Sequence, residues 1–239
     1  RCYRNTSYGR KEDGGDTFGH FLTASMGKSN AGSQTAKTQT KAPTFSQIGG
    51  FYNNSQNITI STANSSSTIY YTTDGSEPKV QSGRQYNGPI NINTTTTLRA
   101  IAVVNGEIHS EITTSTYFVN SNIPTSIKVV SLATDRDYLY GDTLGALVVG
   151  RNGSTVPTNC SAMDRTANYM NDWDRPCNFE LFDEGKVQRI SQEVKVGVFG
   201  ACSRTKAIKS IKVKANKIYG TNKLDYPIFH EKPNLKWKS

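Results

Sequence analysis

Apolar and polar residues alternate along most of this chain, and a helical period rarely replaces the alternation. Residues two apart share one face of an extended strand, so each alternating run predicts a strand with one side toward a core. Such runs lie at 57–61, 68–73, 90–93, 97–104 and 111–119. Between them stand the turn signals Gly49-Gly50, Asp74-Gly75, Gly88-Pro89 and Asn105-Gly106. In the run 97–104, Leu98, Ala100, Ala102 and Val104 alternate with Arg99, Ile101 and Val103. Short strands at regular spacing with this punctuation predict a β-sandwich over 42–119.

The pattern changes on either side. Residues 1–41 are polar and glycine-rich, and 31–41 have the composition of a linker. Beyond 124, runs at 127–132 and 178–183 read as strands, 135–140 as a turn or short helix, and 144–149 as a further apolar segment. Residues 151–172 are polar, with 161–169 either a weak helix or an inserted loop. Two more strands, 194–199 and 209–215, flank the small-residue turn Gly200-Ala201-Cys202-Ser203-Arg204. The fold class is therefore mainly β: a β-sandwich followed by a second β-rich domain.

Strand parity singles out Lys209. Ile211, Val213 and Ala215 share a face, Lys212 and Lys214 take the other, and Lys209 falls on the apolar side. An inward lysine needs an anionic partner or a cleft, because an unpaired buried ammonium is costly. A turn of small residues with free backbone N–H groups, followed by such a lysine, is one way to hold phosphates. The plainer reading is a surface hairpin whose lysine snorkels.

Charge sharpens the division. The net charge is +9, while residues 186–239 alone carry thirteen Lys or Arg against three acids. A basic segment can meet a nucleotide or an acidic partner. No zinc-finger or RNA-binding signature accompanies it, so nucleic acid is not expected as a partner. No apolar run reaches membrane-spanning length. The chain begins at Arg1 without a leader and stops in an alternating pattern, and so reads as a piece of a longer polypeptide. Cys160 and Cys177 are a possible disulfide if the protein is exported. Asp135 with Asp137, and Asp172 with Asp174, read as turn chemistry before they read as metal ligands.

Three segments resemble known families. Ser7-Tyr8-Gly9-Arg10, Asp13-Gly14, Phe18-Gly19 and Gly27-Lys28-Ser29-Asn30 resemble the closing stretch of bacterial lamin-tail domains, with Met26 where proline is usual. This implies the end of an immunoglobulin-like domain over 1–30. Thr68-Ile69-Tyr70-Tyr71-Thr72-Thr73-Asp74-Gly75-Ser76-Glu77-Pro78 resembles the signature of the chitobiase/β-hexosaminidase C-terminal-like domain. Tyr86, Gly88-Pro89-Ile90 and 97–102 agree in order. That resemblance implies a fibronectin/immunoglobulin-like β-sandwich that serves as a spacer or accessory module in exported bacterial proteins. Tyr70 and Tyr86 are the candidate glycan-stacking rings, weighed against ordinary core packing.

Over 124–239, Trp173-Asp174-Arg175-Pro176, Phe179-Glu180-Leu181-Phe182-Asp183, Ser191-Gln192-Glu193, Gly200 with Ser203-Arg204, Lys209-Ser210-Ile211-Lys212 and 224–229 follow the order of the spore-coat CotH kinase-like family. The resemblance implies the N-terminal portion of an atypical protein kinase domain, β-rich and of α+β class. Its nucleotide-binding candidates are Gly200, Ser203, Arg204 and Lys209. ATP with a divalent metal is implied for the full-length protein, and no cofactor is expected of this piece. The family's catalytic and metal-binding aspartates are implied to follow Ser239. Gly197, Phe199 and Ala207 depart from the family's usual arginine, histidine and proline.

The leading expectation is thus an extracellular or surface-associated bacterial protein in which a sandwich presents a CotH-like domain to a protein substrate or surface partner. The alternatives are a non-catalytic adhesion or scaffold protein and a carbohydrate-binding accessory module.

Overall fold

The computed structural model describes residues 6–23, 25–36, 38–124, 126–153, 166–229, 231 and 237–238. The chain divides into two compact units, Arg1–Asn120 and Ser121–Ser239.

The first unit opens with an antiparallel sheet of β1 (Ser7–Arg10), β2 (Phe18–Phe21) and β3 (Thr35–Ala36). β3 lies in the stretch whose composition reads as linker. Gln39, in the same stretch, bridges Ile108. Pairing of this kind uses only backbone groups, which small polar side chains do not impede.

The sandwich follows. β4 (Thr44–Phe45) pairs with β7 (Ile60–Ser61), and β6 (Gln56–Ile58) pairs with β10 (Ile90–Ile92). β5 (Gly50–Tyr52), β8 (Thr68–Thr72), β9 (Arg84–Gln85), β11 (Thr96–Val103) and β12 (Thr113–Val119) form a five-stranded sheet in the order β5-β12-β11-β8-β9. Ile58 and Ile92 from the smaller pair pack on Leu98, Tyr117 and Val119 of the larger sheet. Ile60, Ile69 and Ala100 extend that core. The fold is mainly β, as the alternation predicts.

β11 departs from simple alternation. Leu98, Arg99, Ala100, Ile101 and Ala102 are all buried, so both faces of β11 are covered. Arg99, only 2% exposed, donates to the Gly75 carbonyl at 3.0 Å and to the Thr114 hydroxyl at 3.3 Å. These bonds offset the cost of burying its charge. Gly75 takes a φ of +80°, the left-handed conformation that glycine tolerates.

The second unit is built on an antiparallel sheet in chain order: β13 (Val129–Ala133), β14 (Arg175–Phe182), β15 (Gln188–Phe199) and β16 (Ser210–Ala215). β17 (Lys223–Leu224) pairs with β18 (Trp237–Lys238). α1 (Arg136–Tyr140) begins where the Asp135 carboxylate accepts the Asp137 N–H at 3.1 Å, an N-cap. This gives Asp135 a structural task. Cys177, Phe179, Leu181, Ile190, Val194, Val196, Ala215 and Leu224 form the main cluster. The apolar run 144–149 forms no strand. Its Ala146 and Leu147 N–H groups instead bond to the Tyr138 and Leu139 carbonyls, and Ala146 packs with Ala167, Tyr169 and Val198. Of the expected helix at 161–169, residues 161–165 lie outside the described residues; Asn168–Met170 form a single 3-10 turn.

The possible Cys160–Cys177 disulfide does not form. Cys177 is a free, fully buried thiol, packed in the main cluster. Cys202 is disulfide-bonded instead. Cys160 lies outside the described residues. Cys177 lies in β14, which is buried from Cys177 to Phe182, so its thiol sits in the core.

Candidate functional site: a cationic cleft beside the β15–β16 hairpin

Strand parity builds the site. In β15, Val194, Val196 and Val198 face the apolar clusters, opposite Ala215, Val213 and Ile211 of β16. Lys195, Gly197 and Phe199 therefore turn to the other face, together with Lys212 and Lys214. Gly197 pairs with Lys212 at the centre of that face. A Cβ at position 197 would collide with the Trp173 carbonyl and lie 2.8 Å from Lys212 Cε and 3.4 Å from Asp174 Oδ1. Glycine here lets the segment before β14 approach closely. A larger side chain such as arginine has no room.

A cleft of about 660 Å³ opens at this place, lined by Asp172, Phe199, Gly200, Arg204, Lys212, Val213 and Lys214. Arg204 is its anchor, with a side chain only 11% exposed. It donates to the Gly200 carbonyl at 2.5 Å, the Met170 carbonyl at 3.0 Å and Asp172 Oδ1 at 2.6 Å. Its fork is thereby fixed toward the cleft. Asp172 is exposed, and the hydrogen bond from Arg204 holds its carboxyl below the ordinary carboxylate range. Asp174 sits between two ammonium groups, 3.4 Å from Lys212 Nζ and 3.4 Å from Lys214 Nζ. Three cations thus meet two carboxylates, leaving a net positive site. Such a surplus suits an anion with several oxygens.

Gly200 makes the bend, with φ at +107° and no space for a Cβ against the Ser203 hydroxyl. Ser203 belongs to the 3-10 turn Cys202–Thr205 and is exposed. Of the sequence candidates, Gly200 and Arg204 therefore line the cleft, with Ser203 tight against Gly200.

Lys209 is placed differently. It does face the apolar side, as parity predicts, and it is half-buried. Its ammonium lies 4.8 Å from the centre of the Tyr169 ring and donates to the Lys206 carbonyl at 2.9 Å. A π face and a carbonyl stand where an anion was expected. Burial pushes its pKa below the ordinary lysine value. Lys209 is not among the residues lining the cleft; Lys212 and Lys214 line it instead. Parity sets those two on the face opposite the apolar one, and the segment carrying Asp172 and Asp174 turns that face into a wall.

In the sandwich, Tyr70 and Tyr86 share no platform. Tyr86 packs edge-on to Tyr71, with ring centres 6.4 Å apart, against the core cluster of Ile60, Ile69 and Ala100. Tyr70 points to the opposite face of β8 from Tyr71.

Residues 47–115 match the family described as "Chitobiase/beta-hexosaminidase C-terminal domain". The chain is also similar to an endoglucanase of Clostridium saccharobutylicum, 44% identical over 62 residues. That stretch covers 26% of this chain and 13% of the endoglucanase.

Proposed function

We propose that this chain comes from an exported bacterial surface protein in which the sandwich is a spacer and the second unit carries the phosphate-gripping part of a CotH-like phosphoryl-transfer domain. The observation that carries this reading is the convergence of Arg204, Lys212 and Lys214 on one cleft beside the glycine bend at 200. Phosphoryl transfer is largely a matter of positioning and charge neutralisation, and fixed cations beside a small-residue bend supply both. In this reading the ligand is ATP with a divalent metal, and the acceptor is a protein. The disulfide at Cys202 supports export, since such bonds persist in oxidising compartments. The remainder of a lamin-tail-like segment over 1–30 fits the same surface-protein arrangement.

Calorimetric titration of Mg·ATP tests it. Because Arg204, Lys212 and Lys214 all lie in this chain, the parent chain is expected to bind, against the expectation from sequence that this piece takes no cofactor. Arg204→Ala and Lys212→Ala each lower the affinity at least tenfold, and Lys209→Ala leaves it unchanged. Absence of binding in the parent chain would leave the adhesion or scaffold reading.

A carbohydrate-accessory role for the sandwich is a second reading, favoured by the match of 47–115 and by the stretch shared with an endoglucanase. Co-sedimentation with insoluble chitin and cellulose distinguishes it, and retention on neither polymer rejects it.

A further inference from the structure

Phe199 is the last residue of β15, paired with Ser210, and its ring stands in the wall of the cleft. It is 63% exposed, and among the described residues no other ring stacks on it. A large aromatic side chain held this open at the mouth of a charged cleft exposes apolar area that a ligand can cover. Parity sends Phe199 to the same face as Lys212 and Lys214, and Gly200, the next residue, turns the chain toward Arg204. One wall therefore offers a flat π surface and the rest offers fixed positive charge. A cleft of about 660 Å³ is of the size that encloses small organic ligands.

We propose that Phe199 is the base-stacking residue of this cleft, so that its ligand is a nucleoside polyphosphate whose aromatic base lies on the Phe199 ring while its phosphates meet Arg204, Lys212 and Lys214. The inference rests on the phosphate reading above and adds selectivity for an aromatic base. Stacking of a base on an aromatic ring tolerates base identity, because every base presents a π face. ATP and GTP therefore bind comparably. The group is a specificity determinant and takes no part in bond-making.

The test compares ATP with inorganic tripolyphosphate on the intact chain, by calorimetry at fixed magnesium and ionic strength. The parent chain binds ATP more tightly than tripolyphosphate. Phe199→Leu, which keeps apolar bulk without a π face, weakens ATP roughly tenfold and leaves tripolyphosphate unchanged. Phe199→Tyr restores the ATP affinity. Equal affinity for the two ligands in the parent chain overturns the stacking role while leaving the phosphate reading intact. A Phe199→Leu variant that loses both ligands together also overturns it, since the effect is then not specific to the base. If the parent chain binds neither ligand, the phosphate reading falls and this inference falls with it.

Discussion

Gly197→Ala adds a single methyl group at the most crowded point of the cleft wall. The new Cβ meets the Trp173 carbonyl, with Lys212 Cε at 2.8 Å and Asp174 Oδ1 at 3.4 Å. Lys212 can swing aside, but the carbonyl belongs to the backbone leading into β14. Moving it disturbs Arg175, whose guanidinium stacks 4.2 Å from the centre of the Trp173 ring, and Asp174, which bridges the two lysines. Overpacking of this kind costs about 2 kcal/mol. That is roughly a thirtyfold change in the folded-to-unfolded ratio. For a unit of this size it lowers the melting temperature by about 10 °C. The assay is thermal unfolding followed by tryptophan emission, because both tryptophans, Trp173 and Trp237, lie in the second unit. If Gly197→Ala melts within 2 °C (about the error of such a scan) of the parent chain, the claim that glycine is required for this close approach is wrong.

Two further outcomes follow from described contacts. The Asp74 carboxylate accepts from the Ser76 hydroxyl at 2.6 Å and the Ser76 N–H at 3.0 Å, and the hydroxyl bond is the main reason its pKa lies below the ordinary 3.8. A depressed folded pKa means that this contribution to stability is present above pH 3.8 and is lost as pH falls through the folded value. NMR titration of the Asp74 carboxyl gives a midpoint below 3.8, and Ser76→Ala moves it upward. The buried Cys177 thiol and the disulfide at Cys202 predict ordered alkylation under iodoacetamide, read by mass spectrometry. Cys177 is modified only after unfolding and Cys202 only after reduction; rapid native labelling of Cys177 would contradict its burial.

Period-two alternation made β15 legible, because Ile190, Val194, Val196 and Val198 are buried while Arg189, Ser191 and Phe199 are exposed; it fails for β12, where residues 114–119 are all buried. It misjudged β11, where Arg99 reads as solvent-facing but finds its carbonyl acceptor at Gly75, a turn residue 24 positions away. The cleft was legible in the same partial way. Gly200 and Arg204 follow from turn chemistry, and the facing of Lys209 follows from parity. What parity cannot supply is the identity of whatever covers each face. Lys212 and Lys214 carry no sign of their shared partner, because Asp174 stands 40 positions before Lys214. Tyr169 had no visible link to Lys209, since a cation over a ring leaves no spacing signal. Gly197 carried a usable clue: a glycine inside a strand often marks a close backbone approach.

The parallel pairing of β5 with β12 gives the sandwich a mechanical character. The Thr113 hydroxyl at the start of β12 bonds to the Pro43 carbonyl, while past its end the Asn120 N–H bonds to the Tyr52 carbonyl. The polypeptide therefore comes in at one pole and departs from the other. Tension applied at these two points runs along the strands and shears their ladder as a whole, so its bonds resist together and do not unzip singly. A module threaded in this manner lengthens whatever protein carries it and bears load at once.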